Sequence, residues 1–201
     1  MKQTHRIGEA QRTTKETEIA VRLDLDGDGV AQVATSVPFL DHMLDQLARH
    51  GLFDLEVRGR GDLDVDAHHT VEDCGLLLGK AFHQALGDRS GINRMGHALV
   101  PMDEALAQVA VDFSGRAYCV AEVGDAGSDA GGVTPSLLAH FLESFAAEAR
   151  LTLHVRVLAG TNAHHQAEAI FKAVARALHQ AAQRDPRRVG VLPSTKGTLT
   201  A

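Results

Sequence analysis

Residues 68–72, His68-His69-Thr70-Val71-Glu72, and residues 164–168, His164-His165-Gln166-Ala167-Glu168, are two copies of one pattern, HHxxE. Each opens a stretch with helical spacing of apolar side chains: His68 to Leu86, with Gly87 after it, and His164 to Arg184. Upstream of each copy lies a strand pattern, Leu52–Val57 in one case and Leu151–Leu158 in the other. Upstream of that lies a helix, Phe39–His50 closed by Gly51, and Leu137–Arg150. Further strands precede each helix. Residues 6–37 read as strands around Glu18–Leu23 and Val30–Ala34, with Asp24-Leu25-Asp26-Gly27-Asp28-Gly29 as a hairpin turn and Pro38 as the stop. In the second half Ala105–Val111 and Ala117–Val123 read as strands.

The recurrence holds residue by residue. With His42 on His140, Met43-Leu44-Asp45 meets Phe141-Leu142-Glu143, and Leu55-Glu56-Val57-Arg58 meets Leu153-His154-Val155-Arg156. After a two-residue deletion the HHxxE copies coincide, and His83-Gln84-Ala85 meets His179-Gln180-Ala181. The chain is an internal duplication about a pseudo-twofold axis. The expected fold class is α+β, with βαβα-type halves whose helices pack against mostly antiparallel sheets. The expected organisation is a single catalytic domain over 1–201, with halves near 1–90 and 91–185 and an extended polar tail over 186–201. Residues 124–132 read as a loop.

The chain has 201 residues, is 44% apolar, has no Trp and one Tyr, and carries a formal net charge of −6. That permits a substantial core. It argues against binding a phosphate backbone or stacking on bases. The two cysteines, Cys74 and Cys119, sit in apolar stretches and read as buried free thiols of a reducing compartment. With no signal-peptide core at the N-terminus and no membrane-length apolar run, a cytoplasmic protein without membrane partners is expected.

On a helix the first His and the Glu of HHxxE share a face, whereas the second His is turned by about 100°. One copy alone is an ordinary solvated helix face. Two copies, each preceded by an equivalent His, point to a dinuclear site. In the expected pairing His68 and Glu72 meet His165, His164 and Glu168 meet His69, and His42 and His140 each complete one shell. Imidazole with carboxylate suits Mn, Fe or Zn. His5, His50, His83, His97, His154 and His179 lack this context. The Asp24–Gly29 run starts like a calcium loop, but its twelfth position is Thr35 rather than Glu.

Arg94, Arg116, Lys172, Ser194 and Lys196 are candidate phosphate ligands. Taken singly each reads as a solvated surface group, except Lys172, which lies one turn beyond Glu168. Glu16 reads as a surface carboxylate. A dinuclear metallohydrolase acting on a small phosphate ester and a non-catalytic metal-binding scaffold both fit these residues. Release of inorganic phosphate separates the first from the second.

The segments RTTKETEI, PFLDHMLDQLARHGLFDL, DAHHTVEDCGLLLGKAF, GINRMG, PMDEALAQVAVDFSGRAY, AGTNAHHQAEAIFKAVARAL and DPRRVGVLPSTKGTL together resemble the imidazoleglycerol-phosphate dehydratase family over almost the whole chain. Ala117 and Val71 depart from the family pattern at positions that bind no metal. The resemblance implies a lyase of histidine biosynthesis with two Mn2+ per active site. It implies metal ligands at His42, His68, His69, Glu72, His140, His164, His165 and Glu168, and substrate contacts at Glu16, Gln46, Arg94, Arg116, Lys172, Ser194 and Lys196. It also implies a homo-oligomer of 24 subunits with sites between neighbours. Glu16 is the first candidate for proton transfer because it need not ligate metal. Glu72 and Glu168 are the alternatives.

Overall fold

The computed structural model describes residues 5–124 and 130–199. Most of the loop expected over 124–132 thus lies outside the described residues. The first half runs β1 (Ile7–Thr13), β2 (Thr17–Asp24), β3 (Ala31–Ala34), α1 (Pro38–Gly51), β4 (Asp54–Gly61) and α2 (His68–Leu86). The second runs β5 (Met95–Met102), β6 (Ala105–Asp112), β7 (Tyr118–Glu122), α3 (Pro135–Ala149), β8 (Thr152–Ala159) and α4 (Ala163–Ala182), followed by a short 3-10 turn at Pro186–Arg188.

The central strands follow from alternation. In β2, Thr17, Ile19, Val21 and Leu23 are buried while Glu18, Ala20 and Arg22 are exposed. In β6 the buried set is Ala105, Ala107, Val109 and Val111. One face meets the core and the other meets water. The sheets are ordered β1-β2-β4-β3 and β5-β6-β8-β7. In each, two pairings are antiparallel and the last, β3 with β4 or β7 with β8, is parallel.

Three local expectations are corrected. The Asp24–Gly29 run is not a hairpin turn, because β2 and β3 lie on opposite sides of β4. It is a connection across the sheet end, and its acids are consumed by protein partners: Asp26 takes the Arg6 guanidinium at 2.6 and 2.9 Å, and Asp24 takes His5. Gly51 does not close α1 in a left-handed turn. Leu52 does, with φ 55°. Gly51 is needed for room, since a β-carbon there would lie 2.4 Å from the buried Phe53 ring. Finally, each half has one strand more than apolar spacing reveals in the second half. The added strand β5 packs inward through Gly96, Ala98, Val100 and Met102, but Met95, Leu99 and Pro101 on its outer face are apolar as well, so no alternation marks it.

The helices fill the middle of the molecule, with a sheet on either side. α2 lies on β1, β2 and β4, and α4 on β5, β6 and β8. They then meet crosswise: α1 of the first half packs on α4 of the second, and α2 on α3. Phe82 on α2 joins the halves, edge-on to Phe53 at 5.3 Å and to Phe145 at 5.3 Å. This crossing decides which ligands can meet.

Candidate metal centres

Two helix starts carry the HHxxE copies. At α4 the Asn162 side chain accepts the backbone N–H groups of His164 and His165, at 2.9 and 3.3 Å. That is an N-cap, and it places both histidines in the first turn. At α2 the Asp66 carboxylate accepts the His68 N–H at 2.7 Å.

Because α1 packs on α4, His42 reaches His164 and Glu168. Because α2 packs on α3, His140 reaches His68 and Glu72. In each trio the ligand atoms lie within 4.8 Å of one another. His42 Nε2 is 3.2 Å and His164 Nε2 2.9 Å from Glu168 Oε1. His140 Nε2 is 3.5 Å from Glu72 Oε1. The His68 and His140 rings lie 4.9 Å apart, and those of His42 and His164 lie 6.0 Å apart. Two imidazoles and a carboxylate converging in this way form a donor set that fits Mn, Fe or Zn. Each trio takes residues from both halves of the chain.

The structure does not bring His165 to His68 and Glu72, nor His69 to His164 and Glu168, within the chain. Each of these second histidines is turned aside, its ring at 79° or 78° to its neighbour's. His69 Nδ1 meets Asp62 at 3.1 Å, and His165 Nδ1 meets Glu104 at 2.6 Å. These hydrogen bonds raise both histidine pKa values. The His165 bond, with the Asn162 N–H, holds Glu104 down at about 2.

The trios are not electrostatically alike. Lys172 Nζ lies 2.6 Å from Glu168 Oε2, and the buried Gln46 lies 3.3 Å from His42 Nε2. Burial pushes the Glu168 carboxyl up, but hydrogen bonds from Lys172, Gln46, His42 and His164 outweigh it and hold the group at about 2. By the repeat, Leu76 and Ser144 occupy the corresponding positions beside Glu72.

The other predicted site residues fall in two places. Arg94 grips Asp112 through two nitrogens, at 2.7 and 2.9 Å, and donates to the Pro193 carbonyl at 2.8 Å. It thereby ties down the tail that carries Ser194 and Lys196. Gly115, beside the exposed Arg116, packs on the Leu199 carbonyl of the same tail. Arg94, Arg116, Ser194 and Lys196 therefore gather around one segment. Ser194 Oγ donates to Thr198 O. Glu16 lies apart from these, exposed and close enough to His69 to favour its charged form.

Asp62 and Glu104 were not signalled by the HHxxE pattern. Carrying the internal alignment toward the N-terminus, with Gly8 on Gly96 and Asp24 on Asp112, would have found Glu104 as the mate of Glu16. The thiols contribute nothing here: burial pushes Cys74 up and Cys119 up to about 12, so neither supplies a thiolate near neutral pH.

Residues 35–178 match the family model described as imidazoleglycerol-phosphate dehydratase. A protein of that name from Methylibium petroleiphilum is 54% identical over 199 residues, covering 99% of this chain and 100% of the relative. One from Streptomyces avermitilis is 56% identical over 195 residues, covering 96% of this chain and 99% of the relative. Among solved structures, imidazoleglycerol-phosphate dehydratase from Staphylococcus aureus superposes with a TM-score of 0.80 at 34% identity, covering 89% of this chain and 99% of that one. The Pyrococcus furiosus structure superposes with a TM-score of 0.82 at 36% identity, covering 94% and 99%.

Proposed function

The chain belongs to the imidazoleglycerol-phosphate dehydratase family, and on that premise we propose that its two ligand trios each hold a manganese ion, two for each active site. It is a hydro-lyase of histidine biosynthesis, removing water from D-erythro-imidazoleglycerol phosphate to leave imidazole-acetol phosphate. The observation that carries the metal reading is the pair of trios, His42-His164-Glu168 and His68-Glu72-His140.

The C2 proton of this substrate is flanked by no carbonyl, so a base alone removes it poorly. Bound metal would supply Lewis-acid stabilisation of negative charge on the imidazole ring. The chain's own residues would do the rest. Glu16 is our choice for proton transfer: its carboxylate has no hydrogen bond among the described residues and its charge is felt at His69, whereas Glu72 and Glu168 would hold the metal. Lys172 and Gln46 hold Glu168 ionised and aimed, and with the tail group they would contact substrate. Anchoring the phosphate remotely orients the reacting carbons.

We further read the whole chain as one catalytic domain working in the cytoplasm within a homo-oligomer, a 24-mer by family resemblance. Three ligands leave an octahedral ion incomplete, and His69 and His165 face away from both trios. Val65, Leu99, Tyr118 and Val189 are large exposed apolar side chains suited to contacts between copies. No helix among the described residues is long and apolar enough to cross a membrane.

Chelation followed by Mn readdition tests the reading. Chelator should abolish ketone formation, with no inorganic phosphate released at any stage, and should reduce particle mass by light scattering. Added Mn should restore mass and rate together. Acid should act like chelator, since imidazole binds metal only when deprotonated. A chelated protein of unchanged rate refutes the metal reading. Unchanged mass shows that protein contacts alone hold the assembly.

The tail group yields a separate prediction. Arg116→Ala and Lys196→Ala should each weaken substrate binding by roughly 1.5–3 kcal/mol, the range for hydrogen bonds to charged groups, without altering metal content. Both side chains are exposed, so stability should hold. An unchanged KM in both variants places the phosphate elsewhere.

A further inference from the structure

His69 and His165 are the two histidines of the repeated motif that join neither trio, yet neither is loose. His165 Nδ1 lies 2.6 Å from Glu104 Oε2. The other oxygen of Glu104 accepts the backbone N–H groups of Thr161 and Asn162, at 3.2 and 2.9 Å. Those residues form the turn into α4, and the Asn162 side chain caps His164 and His165 themselves. Carboxylate, turn and imidazole are thus one hydrogen-bonded unit. His69 Nδ1 faces both oxygens of Asp62, each at 3.1 Å. An ionised carboxylate only accepts, so Nδ1 of each neutral ring carries the proton and the Nε2 lone pair is left free. The acid nearest to His165 Nε2 is the exposed Asp103, at 3.7 Å, beyond hydrogen-bond distance.

The duplication makes this more than a coincidence of two surface contacts. Glu104 ends the turn between β5 and β6, and its repeat mate is Glu16 in the turn between β1 and β2. Asp62 follows β4, and its repeat mate is Gly160. The halves therefore make the same bond from non-corresponding positions. A contact merely inherited from the duplicated unit would come from the same position twice. With Asp62 in that role, the Glu16 carboxylate has no hydrogen bond among the described residues, while the Glu16 carbonyl accepts the Asp62 N–H at 3.0 Å.

We propose that Asp62 and Glu104 are positioning residues that lock His69 and His165 as Nδ1–H tautomers, presenting Nε2 as a further metal ligand. This rests on the metal reading above, with the receiving trio belonging to another copy of the chain. Carboxylates placed behind a ligating imidazole orient it and raise its basicity.

The test is Mn affinity, measured by chelator competition on the full-length protein, with the Tm of the metal-free form alongside. Asp62→Ala and Glu104→Ala should each bind Mn about 10–100-fold more weakly, with the metal-free Tm nearly unchanged in Asp62→Ala and somewhat lower in Glu104→Ala, which also leaves the Thr161 and Asn162 N–H groups without their acceptor. Asp62→Asn, whose carbonyl oxygen can still accept from Nδ1–H, should recover most of the affinity. Wild-type affinity in both alanine variants overturns the proposal. So does a loss that Asp62→Asn shares in full and that follows a fall in metal-free Tm, since that describes a structural role. A wild-type protein that takes up no Mn instead overturns the metal reading itself.

Discussion

Replacing His164 with alanine leaves the protein folded and lowers turnover by about a thousandfold. His164 is an exposed residue at the start of α4, where its backbone N–H is capped by Asn162. Loss of the imidazole costs the fold little. It removes one of three ligands from a trio whose carboxylate lies 2.9 Å away, leaving His42 and Glu168. Lewis-acid stabilisation by a bound ion contributes several kcal/mol, and each ~1.36 kcal/mol is a factor of ten in rate. His68→Ala should be damaged to a similar degree, because the repeat gives it the same place in the other trio. Elemental analysis with a ketone assay decides. A variant with full metal content and full rate removes His164 from the ligand set.

The second large effect is on stability. A β-carbon on Gly96 would lie 2.1 Å from the Ala177 carbonyl oxygen and 2.8 Å from the Ala181 nitrogen, both backbone atoms of α4. No side-chain rotation relieves contacts of that kind, so the strand must leave the helix. Overpacking costs typically 1–3 kcal/mol and sometimes more, and backbone-on-backbone contact puts Gly96→Ala near the top of that range, about 3 kcal/mol. For a chain of this size that lowers Tm by roughly 6–12 °C. Gly8→Ala, 1.9 Å from the Ala81 carbonyl in the other half, should do the same. Urea unfolding of the metal-free protein measures both, and a loss below about 1 kcal/mol would show that the strand shifts freely.

These cases mark what sequence could and could not reveal. α2 is legible to the residue, His68 to Leu86, because its start and its glycine stop are local signals. The i, i+4 spacing likewise sets His164 against Glu168. Partners across helices are another matter. That His42 belongs with His164 and Glu168 depends on α1 lying against α4, a packing choice no local pattern encodes. Strand β5 escaped because its outward residues Met95, Leu99 and Pro101 are as apolar as the inward Ala98, Val100 and Met102, so no alternation marks it. Glu104 lies 61 residues from the ring it holds and Asp62 seven, neither at the i, i+3 or i, i+4 spacing of a helix face, and the two do not correspond through the repeat.

The crosswise packing of helices has a historical consequence. Neither half owns a complete trio: α1 donates to a cluster seated on α4, and α3 to one seated on α2. Before the gene doubled, a polypeptide of half this length could have gathered these ligands only by pairing with a second molecule of itself. The ancestor implied by this geometry held its ligand trios between two copies of itself. Fusion of its two genes freed each interface from symmetry. Lys172 could then stand beside one carboxylate where Leu76 stands in the other half.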